Sequence, residues 1–337
     1  MHDRPPAASP GSPMFSVVVP AYNEADVILQ FHYRLSQVMD RLGVWEVVYV
    51  NDGSRDLTLT RLTDLQARDG RVAIVNLSRN FGKEIAVTAG LDHARGSAVI
   101  LMDADLQHAP EVIPDLVAGW REGYDMVFAQ RRGRPDESWL RRTAANAFYE
   151  MMRRTSSTPI PRDGGDFRLL SRRAVEAVIR LREQHRFMKG LFAWIGFPTK
   201  AVPFDVEPRH AGRSAWNYWR LLNFAMVGLT SFSVVPLRIA TFVGLAVALL
   251  AVLYGLELVI QTLIFGNPVA GYPSVMTAIL FLGGIQLMAL GMIGEYLGRV
   301  FNETKNRPLY LIEHFSPSDL ARAPDPPAAA GELTGAS

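Results

Sequence analysis

Two apolar runs near the end of the chain, residues 239–265 and 272–297, limit what it can fold into more than any other feature. Each is long enough to cross a hydrocarbon layer of roughly 30 Å as a helix, which takes about 20 residues. A soluble fold would have to bury both runs whole. A helical hairpin through a membrane accommodates both, and the stretch between them, "GNPVAGYPS", carries no charge. Arg213, Arg220 and Arg238 precede the hairpin, and Arg299, Lys305 and Arg307 follow it. Positive charge flanks spans on the cytoplasmic side, so both ends are expected there, in a multi-pass protein of the cell inner membrane. Glu257 and Gln286 lie within the runs and read as partners between helices first, and as functional polar groups second. Gly294 and Gly298 form a GxxxG pattern suited to close helix packing.

The remaining residues divide around this hairpin. Residues 1–13, rich in proline and small side chains, read as a disordered leader without the apolar core of a signal peptide. Residues 14–215 form the expected cytoplasmic domain, and 216–238, with "WNYWRLLNFAMVGL", an interfacial juxtamembrane helix. Residues 299–337 are expected to be a largely disordered cytoplasmic tail. Cysteine is absent, which excludes disulfides, thiolate metal sites and cysteine nucleophiles. A net charge of +2 gives no sign of a nucleic-acid partner. Oligomerisation with further copies of the chain stays open.

Within residues 14–130, short β-rich runs ("FSVVVPAY", "WEVVYVND", "VAIVNLS", "SAVILMDAD", "DMVFAQR") alternate with helix-length segments. Continuous apolar strands alternating with helices predict an α/β domain with a mainly parallel sheet. In such sheets ligands bind beyond the carboxyl ends of the strands. Polar residues gather at those ends: Asn23 and Glu24, Asn51 and Asp52, Asp103 and Asp105, Arg131. Farther on, "LRRTAANAFYEMMRRT" reads as a helix with a basic face, turned either to solvent or to an anionic membrane surface.

Asp103 and Asp105 end an apolar run two residues apart, which puts them on one side of an extended chain. No basic residue separates the two charges. A hard divalent cation, Mg²⁺ or Mn²⁺, would relieve the repulsion, since magnesium is usually held by one or two carboxylates and substrate phosphates. Capping of the helix announced by Pro110 and Glu111 would account for Asp105 alone. No GxGxxG follows the first strand and no GxxxxGK[ST] loop is present, which argues against dinucleotide and P-loop folds. A haloacid-type phosphatase would place its aspartate pair earlier in strand order.

Taken in order, "SVVVPAYNEADVI", "VVYVNDGSRD", "NLSRNFGKEIAVTAGLDHARGSAVILMDADLQHAPEVI" and "GDFRLLSRRAV" resemble the family 2 glycosyltransferases of GT-A fold. Within them the chain is most similar to the polyprenyl-phosphate glycosyltransferases, over about residues 14–230. The resemblance implies an inverting transfer of sugar from a UDP- or GDP-sugar to a polyprenyl phosphate. It implies that Pro20, Tyr22 and Glu24 surround the base and ribose, that Asp52 contacts the base, and that Lys83 lies near the nucleotide. Asp103, Asp105 and Gln107 would serve the metal and sugar, with Arg131 after the next strand and Asp166 as the catalytic aspartate. Arg209, Arg213 and Ser214, in "RHAGRSAW", would hold the acceptor phosphate; Ala215 stands where lysine is frequent.

Asp166 also reads as a turn residue after Gly164 and Gly165, and the two arginines as ordinary juxtamembrane charge. Two rival functions share the fold class. A polysaccharide synthase would carry a QxxRW segment and more spans, and neither is present. A catalytically silent nucleotide-sugar-binding scaffold would not need Asp52, Asp103, Asp105 and Asp166 together.

Overall fold

The computed structural model describes residues 14–131, 164–184, 186–204, part of 244–265, and 271–321. Five strands form where alternation predicts them: β1 (Phe15–Ala21), β2 (Trp45–Asn51), β3 (Val72–Leu77), β4 (Ala98–Leu101) and β5 (Met126–Arg131). Between them run α1 (Ile28–Met39), α2 (Thr58–Arg68), α3 (Lys83–His93) and α4 (Ile113–Arg121). Then follow β6 (Gly164–Ser171), α5 (Arg172–Ile179), α6 (Met188–Trp194), β7 (Thr199–Phe204), α7 (Tyr272–Thr304) and β8 (Ile312–Ser316).

The strands make one sheet in the order β7-β5-β6-β4-β1-β2-β3-β8. β1 pairs in parallel with β2 and β4, β2 with β3, and β5 with β7. Only β6 and β8 run the other way. Nearly every residue of β1, β2 and β3 is buried, because helices cover both faces. One face packs Val17, Val19, Val47 and Tyr49 against Phe31 and Leu35 of α1 and Leu62 of α2. On the other face α3 approaches the strands closely. A Cβ on Gly90 would lie 2.2 Å from Val18 Cγ1, so only glycine fits there.

The reversed strand β6 positions the site. Its register pairs Leu101 with Arg168 and Ala98 with Ser171. Each step past the end of β4 is matched by a step back toward the start of β6. Asp103 and Asp166 therefore fall opposite each other at the edge where the parallel strands end, although 62 residues of chain separate them in sequence (103 to 166).

The expected disordered tail is corrected in its first part. α7 continues past residue 297 to Thr304 and ends at Lys305 and Asn306, whose φ of +46° is the left-handed conformation that closes many helices. Pro308 bars continuation. β8 then pairs antiparallel with β3 and covers its open edge. The segment is tied down by polar contacts that apolar patterning cannot announce. Tyr310 donates to Asp92 at 2.7 Å, Asn76 donates to Glu313 at 2.9 Å, and Arg95 donates to the Leu320 carbonyl at 3.0 Å. Ser318 donates to the buried Glu46 at 3.2 Å.

Contacts divide the chain into two units, one containing the whole sheet and the segment after residue 307, the other residues 216–307 with 143–159. In the second unit the described residues of 244–265 are helical, and α7 contains a stretch, Phe281–Thr304, long and apolar enough to cross a membrane. Leu287, Leu290 and Leu297 are exposed along it. The "LRRTAANAFYEMMRRT" segment and the expected interfacial helix at 216–238 lie outside the described residues.

Candidate active site

Beyond the carboxyl ends of β1, β2 and β4 an open cleft of about 470 Å³ is lined by Pro20, Tyr22, Glu24, Asp52, Lys83, Asp103 and Asp105. Seven of the residues singled out in the sequence thus share one cavity of a size suited to a small ligand. Three loops build it. Asn23, in the left-handed region at φ +56°, accepts a hydrogen bond from the Arg55 amide through its side chain, and its own amide donates to Ser54. Glu24 donates its amide to Thr58. These bonds tie the loop after β1 to the loop after β2.

Asp52 ties the second loop to the third. Its carboxylate accepts the Phe81 amide at 2.7 Å and the Gly82 amide at 2.9 Å. Burial raises its pKa, and these two bonds oppose the rise without cancelling it. Gly53 has φ +62°, and a Cβ there would lie 2.4 Å from the Arg79 carbonyl carbon. The backbones of the two loops touch, which explains the glycine of "NDGS". Asp52 and Gly53 together fix where α3 begins, and Lys83 is its first residue.

Past β4, burial alternates at every residue from Met102 to His108, so Asp103 and Asp105 face the cleft while Ala104 and Leu106 are buried. The aspartates share a side as expected, but in a turn, because the hydrogen-bonded strand stops at Leu101. Asp105 accepts the Gln107 amide at 3.1 Å. It does not cap the following short helix, whose N-cap is Ala109 with no side-chain bond. Gln107 is not among the residues lining the cleft. His108 is a core residue, packed against Phe167 and Phe204 with ring centroids 5.5 and 5.7 Å away.

A cation of the chain itself stands beside the aspartates, although none separates them in sequence. Lys83 Nζ lies 2.8 Å from Asp103 Oδ2 and 2.7 Å from Asp166 Oδ2. Lys189, from α6, adds a second ammonium 3.7 Å from Asp166 Oδ1. Burial alone would raise the Asp166 carboxyl; the two lysines outweigh it and hold the group well below the usual carboxylate range. Burial likewise works against the Lys83 charge, and Asp103 and Asp166 more than offset it. Asp166 is therefore an ion-paired carboxylate.

Behind it, Glu84 is pushed up to about 7, chiefly by burial and then by Asp166. It accepts the Met188 amide at 3.1 Å, which anchors the helix that carries Lys189. The buried Arg168 stacks on Phe192 and donates to the Gly165 carbonyl at 2.7 Å, fixing the start of β6. Sequence reasoning missed Lys189, Glu84 and Arg168: Glu84 and Arg168 lie within segments that carry the resemblance but were given no role there, and Lys189 lies in none of them. Arg131 ends β5 opposite Phe204, but its side chain is not described. Arg209, Arg213 and Ser214 lie outside the described residues.

Among the described residues no group of three or more His, Cys, Asp and Glu is gathered to hold a metal. Asp103 and Asp105, which both face the cleft, nevertheless fit a hard cation whose remaining ligands come from substrate oxygens. Glu24 reports the excess of negative charge there. Its carboxyl is pushed up to about 7, by burial first and then by Asp105 and Asp103.

Comparison with known proteins agrees with this geometry. Residues 16–179 match the family model for glycosyl transferase family 2, and residues 235–300 match the GtrB C-terminal hairpin. The chain is 51% identical over 298 residues to an uncharacterized glycosyltransferase of Synechocystis, covering 88% of this chain and 94% of that protein. It is 47% identical over 300 residues to the SfII prophage-derived bactoprenol glucosyl transferase of Shigella flexneri, covering 88% and 97%. Among solved structures it is similar to glucosyl-3-phosphoglycerate synthase from Mycobacterium tuberculosis in complex with Mn²⁺ and UDP-glucose. That likeness has 22% identity, a TM-score of 0.43 and coverage of 64% and 76%.

Proposed function

The chain belongs to glycosyl transferase family 2, and on that premise we propose that it transfers a sugar from a nucleoside-diphosphate donor to the phosphate of a membrane polyprenol, with inversion at the anomeric carbon. One observation carries the lipid acceptor. The similarity to a bactoprenol glucosyl transferase runs through the sheet unit and the hairpin alike, over 97% of that protein. Glucose is accordingly the first sugar to test.

In this reading a phosphate oxygen of the lipid attacks the anomeric carbon, the bond to the donor's β-phosphate breaks, and the nucleoside diphosphate leaves. A phosphate monoester has a second pKa of about 6, so the nucleophile is largely dianionic at neutral pH and needs no base to activate it. The ion pairing of Asp166 agrees with this, because a carboxylate held by two ammonium groups is a poor proton acceptor. Asp166 orients sugar or acceptor instead. Pro20, Tyr22, Glu24 and Asp52 border the base and ribose, and Arg131 would stabilise the departing charge. Arg209, Arg213 and Ser214 take the lipid phosphate. Asp103 and Asp105, with Gln107 beside them, would hold Mg²⁺ or Mn²⁺, which when bound supplies charge stabilisation for the leaving diphosphate.

Connectivity supports this topology. β8 is a strand of the same sheet as β1, which favours placing the residues after the hairpin on the same side of the membrane as the residues before it. An even number of crossings between Phe204 and Ile312 fits that arrangement, and with the flanking positive charge it supports two spans and a cytoplasmic catalytic domain and C-terminus.

The test is a panel of UDP- and GDP-sugars with undecaprenyl phosphate, scored for lipid-linked product. One donor is expected to give product that is lost in excess chelator and restored by Mg²⁺ or Mn²⁺. Product formed undiminished in chelator would remove the cation from this account, and no product with any donor would remove the activity.

A further inference from the structure

Lys83 stands where two demands on Asp103 conflict. Its ammonium already holds Asp103 Oδ2 at 2.8 Å, and the same carboxylate is one of the two that would ligate a divalent cation. The ammonium also holds Asp166 at 2.7 Å, so it bridges the cation side of the cleft and the transfer side. Its position is built rather than incidental. Asp52 fixes the two amides before it, at Phe81 and Gly82, and Gly82 turns the chain into α3 at φ +96°. The lysine stem is flexible and its charge compact, so the head can move several ångströms while its backbone stays anchored.

A bare divalent cation entering this site meets the ammonium already on Asp103 Oδ2, is repelled by it and competes with it for that carboxylate. A cation arriving with a nucleoside diphosphate brings phosphate oxygens that take the ammonium over. Asp166 loses little in the exchange, because Lys189 remains 3.7 Å away. The two ligands therefore help each other in, and the coupling runs through one side chain.

We propose that Lys83 is an internal counter-cation that makes divalent-cation binding depend on the nucleoside diphosphate, holding Asp103 and Asp166 in the free protein and passing to the donor's phosphates as the cation takes Asp103. This rests on the cation reading of the proposed function. Lys83 is in these terms a positioning residue for the cation as well as a contact for the donor.

The test is Mn²⁺ binding by electron paramagnetic resonance, on the full chain in detergent, with and without UDP and, in a second series, GDP. In the wild-type protein nucleotide should tighten Mn²⁺ binding by roughly tenfold or more, the scale of a coupled charge pair. In Lys83→Met, Mn²⁺ alone should bind roughly tenfold more tightly than to wild type, and the gain on adding nucleotide should shrink. Lys83→Arg, which keeps the charge, should keep most of the coupling. Asp105→Ala should bind Mn²⁺ in neither condition, which locates the signal. If Asp105→Ala loses the ion but Mn²⁺ alone binds Lys83→Met no better than wild type, the cation site stands and the role of Lys83 is wrong. Equal Mn²⁺ affinity of the wild type with and without either nucleotide would overturn the proposal without any variant. Mn²⁺ binding that Asp105→Ala leaves intact would remove the cation reading, and the proposal with it.

Discussion

Leu106 sits between Asp105 and Gln107 in the left-handed region, φ +58°, with its side chain buried in the core. A leucine there pays for its anchorage with backbone strain of about 1–2 kcal/mol. Leu106→Ala loses the anchor and keeps the strain; Leu106→Gly loses the anchor and sheds it. Denaturation of the full chain in detergent should find both variants less stable by roughly 2–4 kcal/mol, with glycine the better by about 1 kcal/mol. That order reverses the usual preference for alanine. An alanine variant as stable as the glycine one would show that the turn is unstrained. The carboxylates around this turn were legible in the sequence because strand-end position and local spacing announce them. The partner of Lys83 was not. Which aspartates it meets depends on the pairing of β4 with the distant β6, and no local pattern encodes that register.

At the scale of elements, Asp69 joins α1, α2 and the start of β3. It accepts the Arg71 amide at 2.9 Å and the Arg71 guanidinium at 2.8 and 2.7 Å, and lies 3.3 Å from His32 Nε2. Burial would raise its pKa, but the Arg71 bonds prevail and hold it at about 2. A carboxyl depressed on folding contributes stability that is complete above its unfolded pKa, near 4, and is lost as pH falls through about 2. Asp69→Asn should therefore cost about 1–2 kcal/mol near neutrality, with the gap to wild type closing between roughly pH 4 and pH 2. A gap independent of pH over that range would mean that the charge is not what stabilises this junction. The first five strands and the helices between them could be read from apolar runs, because both faces of the sheet are covered. β8 could not, since Ile312–Ser316 contains Glu313, His314 and an exposed Phe315 and borrows its order from the edge of β3.

For the whole molecule, that last strand means that the catalytic unit is completed only after the hairpin has been made. A chain ending at Arg307 loses the β3 edge pairing, the Ser318 bond to Glu46 and the Tyr310 bond to Asp92. With each net hydrogen bond worth about 0.5–1.5 kcal/mol, it should be less stable by roughly 3–5 kcal/mol, whereas a chain ending at Ala321 should match wild type in thermal denaturation. Equal melting of the two truncations would show that β8 is dispensable to the sheet. The central claim, transfer of the sugar alone to a lipid phosphate, is tested most directly by a donor labelled with ¹⁴C in the sugar and ³²P in the β-phosphate, incubated with the full chain and undecaprenyl phosphate. The ¹⁴C should move into the organic phase while all the ³²P stays in water as nucleoside diphosphate. Both labels in the lipid would mean transfer of a sugar phosphate, and ¹⁴C confined to the water phase for every donor would mean that the lipid is not the acceptor.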